Sequence, residues 1–244
     1  MQKYFVFCLF AMIALFGCAK HDPILPGMRI DVFDSGDIDV KNIDVPELSD
    51  NEKNIYGDTV CDYRQDSDNT IWFGDKKIFS GFATGSVVKS NQSPVCDKGF
   101  IYTGLSTGEV VKVKPSTKQI VWIADVFRAS NLTGGASVVD IIAHVGVDDK
   151  YVYAGGLGDA FCKLNKNNGD KIWCLNISVP VDFIMVDDFV FVVGTDNNLY
   201  AIDVKKGAVY WKTNVKNQIK PVYQNNAITI GKQRINSKDG SLIN

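Results

Sequence analysis

The 244-residue chain is 45% hydrophobic, 22% charged and 11% aromatic, with a formal net charge of −2. This is the composition of one large or two small globular domains and excludes a collagen-like or wholly disordered chain. With 26 basic against 28 acidic side chains there is no electrostatic footing for nucleic-acid binding, and two histidines, His21 and His144, make His-based catalysis or a His-rich metal site a poor expectation.

Lys3 precedes a continuous apolar stretch from Phe5 to Phe16 that contains Cys8. Such a run is short for a bilayer span and reads as the core of a signal peptide, residues 1–17. Leu15-Phe16-Gly17-Cys18 has the form of a bacterial lipobox, which needs a Cys because its sulfur takes the diacylglyceryl group and its freed amine is then acylated. Phe16 is bulkier than the usual small residue at that place. Three acyl chains exceed the two signals needed for stable anchoring. Ala19 lacks the Asp that marks inner-membrane retention, so the expected location is the outer membrane, lipid-anchored through Cys18 and facing the periplasm.

Residues 31–68 hold 12 acidic and three basic side chains (Lys41, Lys53, Arg64), together with Pro46 and little periodicity. Residues 18–68 are therefore read as a lipidated Cys followed by a solvated acidic tether, with short strands at most. The remaining residues 69–244 hold 15 acidic and 20 basic side chains and form the folded body.

In that body, Phe100-Ile101-Tyr102-Thr103-Gly104, Tyr151-Val152-Tyr153-Ala154-Gly155 and Val190-Phe191-Val192-Val193-Gly194 are three β-prone runs ending in Gly. A weaker fourth is Ala227-Ile228-Thr229-Ile230-Gly231. Each strong copy continues into a second strand (Val110–Val113, Ala160–Leu164, Leu199–Val204), a polar turn, and a strand bearing Trp122, Trp173 or Trp211. Asn168-Gly169 and Lys206-Gly207 supply turns before the Trp strands. A four-stranded sheet of this size has two apolar faces, and stacking sheets radially buries both. The expected fold is all-β: a β-propeller with Trp122, Trp173 and Trp211 packed between blades. The repeat length allows four to five blades in an incomplete or open propeller, with residues 70–96 as a poorly matched blade. The last copy leaves little room for a full third strand, and no Trp strand follows Lys238-Asp239-Gly240-Ser241.

Cys162 and Cys174 flank the turn near Asn168 and would face one another across adjacent strands. A disulfide and two small buried hydrophobes fit that placement equally well. No Cys or His spacing suggests zinc. Asp148-Asp149, Asp187-Asp188 and Asp196-Asn197-Asn198 sit at predicted turns and read as turn formers. Ser137, Asp140 and His144 lie in one short extended segment, which implies no relay geometry. Gly155-Gly156-Leu157-Gly158 lacks a βαβ context, so no dinucleotide cradle is expected. No enzyme and no cofactor are expected.

The pattern Leu199-Tyr200-Ala201-Ile202-Asp203, then Gly207, then Trp211 resembles the PQQ-type propeller repeat. Together with the lipobox and Leu25-Pro26-Gly27-Met28-Arg29-Ile30, it makes the chain similar to the BamB family, outer-membrane lipoproteins of the machine that inserts β-barrel proteins. The resemblance implies a non-catalytic scaffold that binds the POTRA domains of BamA and works beside the other assembly subunits and unfolded client proteins. It places the partner-binding residues on Val88 and Lys89, ahead of Ser93-Pro94, and on Asp140. A second acidic position of that pattern is Ile142 here. Because the repeat is shared with quinoprotein dehydrogenases, a degenerate PQQ-dependent propeller is the alternative expectation.

Overall fold

The computed structural model describes residues 38–58, 61–82, 93–127 and 138–243, all within one compact unit that runs from Phe33 to Asn244. The signal segment 1–17, Cys18, Val88, Lys89 and Ser137 lie outside the described residues. The described elements are all strands, in five antiparallel sheets.

The first sheet has three strands, β1 (Tyr63–Gln65), β2 (Ile71–Phe73) and β3 (Lys76–Phe79). Four four-stranded meanders follow. The second sheet holds β4 (Val95–Asp97), β5 (Phe100–Gly104), β6 (Glu109–Lys114) and β7 (Gln119–Asp125). The third holds β8 (Gly146–Val147), β9 (Tyr151–Gly155), β10 (Phe161–Asn165) and β11 (Lys171–Leu175). The fourth holds β12 (Ile184–Val186), β13 (Phe189–Val193), β14 (Asn198–Asp203) and β15 (Ala208–Asn214). The fifth holds β16 (Val222–Gln224), β17 (Ala227–Ile230), β18 (Gln233–Asn236) and β19 (Leu242–Ile243). These are five propeller blades, the upper value expected from the repeat.

In the second to fifth sheets the second strands are largely buried on both faces, as their runs of apolar residues require: all of β13, Phe-Val-Phe-Val-Val, is buried. Apolar layers fill the spaces between successive sheets. Ile71, Phe79, Ile101 and Val111 lie between the first and second. Tyr102, Trp122, Val152 and Leu164 lie between the second and third. Tyr153, Phe161, Val190 and Ile202 lie between the third and fourth, and Phe191, Trp211, Ile228 and Ile235 between the fourth and fifth. The first strands of neighbouring sheets approach each other, β4 with β8 and β12 with β16. Among the described residues no hydrogen bond joins the first sheet to the fifth, so the series is open.

Two expectations change. The fifth sheet does form a third strand, β18, because Asn236 closes a tight turn on Ser241. Its fourth strand, β19, is two residues long and lacks a Trp.

The larger correction concerns the tether. Residues 38–58 are not a solvated linker but a strap laid across the blades. Val45 and Ile55 are fully buried and Leu48 nearly so. The Lys41 and Ile43 N–H groups donate to Val209 and Tyr210 carbonyls on β15, and that of Val45 to Lys238. Further along, Lys53 N–H donates to Met185, Val147 N–H to the Ile55 carbonyl, and Asp58 N–H to Cys96. Glu52 accepts from the Tyr223 N–H and Asp187 accepts from both Ser49 N–H and Oγ. The strap therefore starts on the outer strand of the fourth sheet, reaches the fifth, and returns over the fourth and third to the second. Its acidic side chains stay exposed, with Glu52 and Asp44 reaching Tyr223 and Lys238, while backbone groups and three apolar anchors make the rest of the contact, which composition alone does not disclose.

Candidate partner-binding faces

The three predicted Trp residues form one repeated device. A bulge in each outer strand leaves Val121, Ile172 or Tyr210 unpaired, so that Trp122 sits opposite Lys112, Trp173 opposite Lys163 and Trp211 opposite Ala201. The extra residue re-aims the next side chain toward the neighbouring blade. The indole N–H of Trp122 donates to the Lys166 carbonyl (3.0 Å), that of Trp173 to Val204 (3.0 Å) and that of Trp211 to Ser237 (3.2 Å). Three residues past each carbonyl, Gly169, Gly207 or Gly240 takes a positive φ of 78°, 65° or 74°. A Cβ there would come within 2.9, 2.6 and 2.7 Å of the ring. Trp, carbonyl and bare Gly thus make a latch that needs all three parts. In the first two latches a buried lysine, Lys112 or Lys163, donates to the same carbonyl at 2.9 or 2.8 Å. Burial lowers the pKa of both lysines.

Cys162 and Cys174, opposite one another on β10 and β11, are joined as a disulfide with a Cα separation of 4.1 Å. A second disulfide joins Cys61, just beyond the strap, to Cys96 on β4.

At the inner ends of the blades, four residues occupy equivalent places, each two before a first strand: Ser93, His144, Asp182 and Lys220. The Ser93 N–H donates to His144 Nε2 at 3.1 Å, and His144 Nδ1 lies 3.0 Å from both Asp182 carboxylate oxygens. Since Nε2 accepts an amide, the ring proton sits on Nδ1 facing Asp182. The lone pair that a general base would use is occupied, so the pair is a structural clasp and not a relay. Burial raises the Asp182 pKa, but the His144 ring, the His144 N–H and the Lys220 charge outweigh it and hold the carboxyl below its ordinary value. From the strap, Tyr56 reaches the same place: its hydroxyl donates to the Phe183 carbonyl, and Lys220 Nζ lies 4.4 Å from its ring centre. Ile142, Val181, Gln218 and Ile219 complete an open cavity of about 350 Å³ there. The sequence held a signal for this row, because its spacings of 51 and 38 residues are those of the Trp residues.

Asp140, expected at a partner surface, is 2% exposed. Its backbone carbonyl accepts from Leu157 N–H and lies against Gly156, and a residue so buried is not offered to a partner. Ile142 lines the cavity instead. Val88 and Lys89 cannot be placed, being outside the described residues.

A quinone site needs calcium ligands and, commonly, a vicinal Cys pair. The described cysteines are consumed by the 61–96 and 162–174 disulfides, and among the described residues no cluster of three His, Cys, Asp or Glu could hold a metal ion. The residues present do not fit that cofactor.

Outer strands differ in their cover. On β15 the strap adds a parallel bridge at Val209 through Val40, leaving Val209 buried. On β7 the corresponding apolar residues are open: Ile120, Val121 and Ile123 are 50%, 43% and 47% exposed.

Compared with known proteins, residues 37–213 match the family model described as outer membrane protein assembly factor BamB. The protein of that name from Moranella endobia is 24% identical over 64% of this chain and 42% of its own length. That from Kangiella koreensis is 21% identical over 57% of this chain and 35% of its own. The chain thus spans about two fifths of the length of the curated relatives it matches. Among solved structures, quinohemoprotein alcohol dehydrogenase ADHIIG from Pseudomonas putida HK5 superposes with a TM-score of 0.53 at 12% identity, over 75% of this chain and 40% of that one, a likeness of fold alone.

Proposed function

The chain belongs to the family of outer membrane protein assembly factor BamB, and from that premise we propose that it is a non-catalytic scaffold of the outer-membrane β-barrel assembly machinery. In this reading Cys18 carries the lipid anchor and the blades face the periplasm. The body docks on the POTRA domains of BamA, beside the other assembly subunits, and aids insertion of outer-membrane proteins. The single observation that supports it most is the family match running from the strap through the fourth blade. The proposed contact at Val88-Lys89 is kept; the one at Asp140 is not, because that side chain is buried.

The geometry suggests how such a scaffold handles unfolded strands. Outer strand β15 already accepts an added parallel strand from the chain itself. The β7 edge presents unpaired backbone groups beside Ile120, Val121 and Ile123 and offers the same mode to a client. A pull-down of the chain with isolated POTRA domains tests the scaffold reading; retention is expected, weakened by Lys89→Glu, and absence of retention overturns it. Addition of quinone and calcium is expected to give no dye reduction, and cofactor-dependent reduction would replace the scaffold with an oxidoreductase.

A further inference from the structure

Between Val204 and Lys238 the chain contains eight basic residues and no acidic one. Their surroundings divide them. Toward the strap, Lys205 pairs with Asp188, Lys206 with Asp203, and Lys238 with Asp44 of the strap. The others are exposed, and among the described residues none has a carboxylate within ion-pairing distance: Lys212, Lys216, Lys220, Lys232 and Arg234.

Four of the five, Lys216, Lys220, Lys232 and Arg234, gather about the 216–220 segment and the β17–β18 turn, where, among the described residues, the strap arrives only through the Tyr56 ring beside Lys220. The Lys216 N–H donates to the Gln233 side chain at 2.6 Å, which holds the 216–219 segment against the β17–β18 turn bearing Lys232, with Arg234 next along β18. Gln218 bridges to Thr195 and Asn197 on the adjoining turn. Lys220 stands at the mouth of the cavity lined by Ile142, Val181 and Ile219. The carboxylates at this end are already engaged, Asp182 by His144 and Asp196 by Asn198 and the Tyr200 hydroxyl.

We infer that this end of the fourth and fifth blades is a docking surface for an acidic, extended polypeptide segment that inserts one apolar side chain beside Lys220. The strap's 44–48 segment shows what such an occupant looks like. There an acidic stretch runs across the blades, Asp44 meets Lys238, and the neighbouring Val45 and Leu48 are buried. Around Lys216, Lys220, Lys232 and Arg234 the cations and the apolar wall of Ile142, Val181 and Ile219 recur, while among the described residues the strap contributes a single ring, Tyr56, and no carboxylate within ion-pairing distance of them. Charge complementarity selects the partner and steers its approach, while the socket sets its register.

The test uses the full chain and a labelled twelve-residue Asp/Glu-rich peptide with one central Leu, read by fluorescence anisotropy. Binding is expected to weaken at least tenfold in K216E/K220E/K232E/R234E, whose positions are exposed, with the thermal midpoint confirming an intact fold. A matched reversal in the first and second blades, K76E/K77E/K114E/K118E, is expected to leave binding within about twofold. Replacing the peptide Leu by Ser is expected to weaken binding severalfold. Equal loss in both quadruple variants would reduce the effect to bulk charge and overturn the assignment. So would absence of peptide binding, or capture by this face of phosphatidylglycerol vesicles and not the peptide.

Discussion

The second and third blades and the first blade pair the same two residue types, lysine and Trp, in opposite order. In the second and third, lysine lies on the third strand and Trp on the outer strand, Lys112 opposite Trp122 and Lys163 opposite Trp173. In the first sheet the pair is inverted, with Trp72 on β2 opposite Lys77 on β3. The consequence is that Trp72 cannot reach the next blade. Its N–H donates to Asp66 within its own sheet at 2.7 Å, and Arg64 and Lys77 lie over its ring. The junction to the second blade is made by side-chain amides instead, Gln65 Nε2 to the Gly104 carbonyl and Asn69 to both Ser106 N–H and Oγ. Strand placement, and not composition, decides whether an indole joins two blades or decorates one.

The sharpest way to break this comparison is to remove the rings. Trp211→Ala, at a site 4% exposed, is expected to cost about 3–5 kcal/mol in urea unfolding, the range for a buried large aromatic. Trp72→Ala, half-buried and latched to nothing beyond its own sheet, is expected to cost less than about 2 kcal/mol. Next come the disulfides. Cys61–Cys96 spans 35 residues and ties the strap's end to the second blade, where no Trp latch exists toward the first. Cys162–Cys174 spans 12 and lies within one blade already latched on both sides. Replacing both cysteines of the former by Ser is expected to lower stability by about 3–4 kcal/mol and of the latter by about 2–3, measured on oxidised wild type as reference.

A finer probe is Gly207→Ala against Gly74→Ala. Both glycines have positive φ, 65° and 54°, but only the former sits under a Trp, with nothing within 4 Å of the latter. The backbone penalty of about 1 kcal/mol is common to both, and the clash with Trp173 is expected to add about 1–2 more.

Asp182 gives a pH signature. Its folded-state pKa is lowered, so the stability it supplies is present above the unfolded carboxylate value of about 3.9 and is lost as pH falls through the lower folded value. Asp182→Asn is expected to flatten the acid limb of a stability–pH curve below about pH 4. Smallest of all, Lys163→Met is expected to change stability by less than about 0.5 kcal/mol. Trp173 still satisfies the Val204 carbonyl, burial already disfavours the charged amine, and the fourth blade has Ala201 at that place.

These differences also explain what could be read beforehand. The latch repeats in sequence because it is one physical unit used three times, so Trp122, Trp173 and Trp211 reveal the blades and their order. The His144–Asp182 clasp kept the same period but used a different residue type in each copy, which hides it from a search for recurring letters. The strap has no period at all: Val45, Leu48 and Ile55 anchor it at unequal intervals, and its carboxylates outnumber its anchors. Asp140 is the opposite case, a charged residue at a family contact position that is buried. Its backbone lies against Gly156, 16 residues on, a close approach that no local pattern around Asp140 announces.

The strap's residues leave the ribosome before every strand they later cross, yet Ser49 and its partner Asp187 are 138 residues apart, and Glu52 and Tyr223 are 171 apart. The strap therefore joins parts of the chain that are far apart in sequence. Non-local pairings of that span slow folding, since loop closure is paid before contacts reward it. Unfolding–refolding of a chain with Val45 and Ile55 replaced by Ser is expected to lose the slow phase that these closures impose.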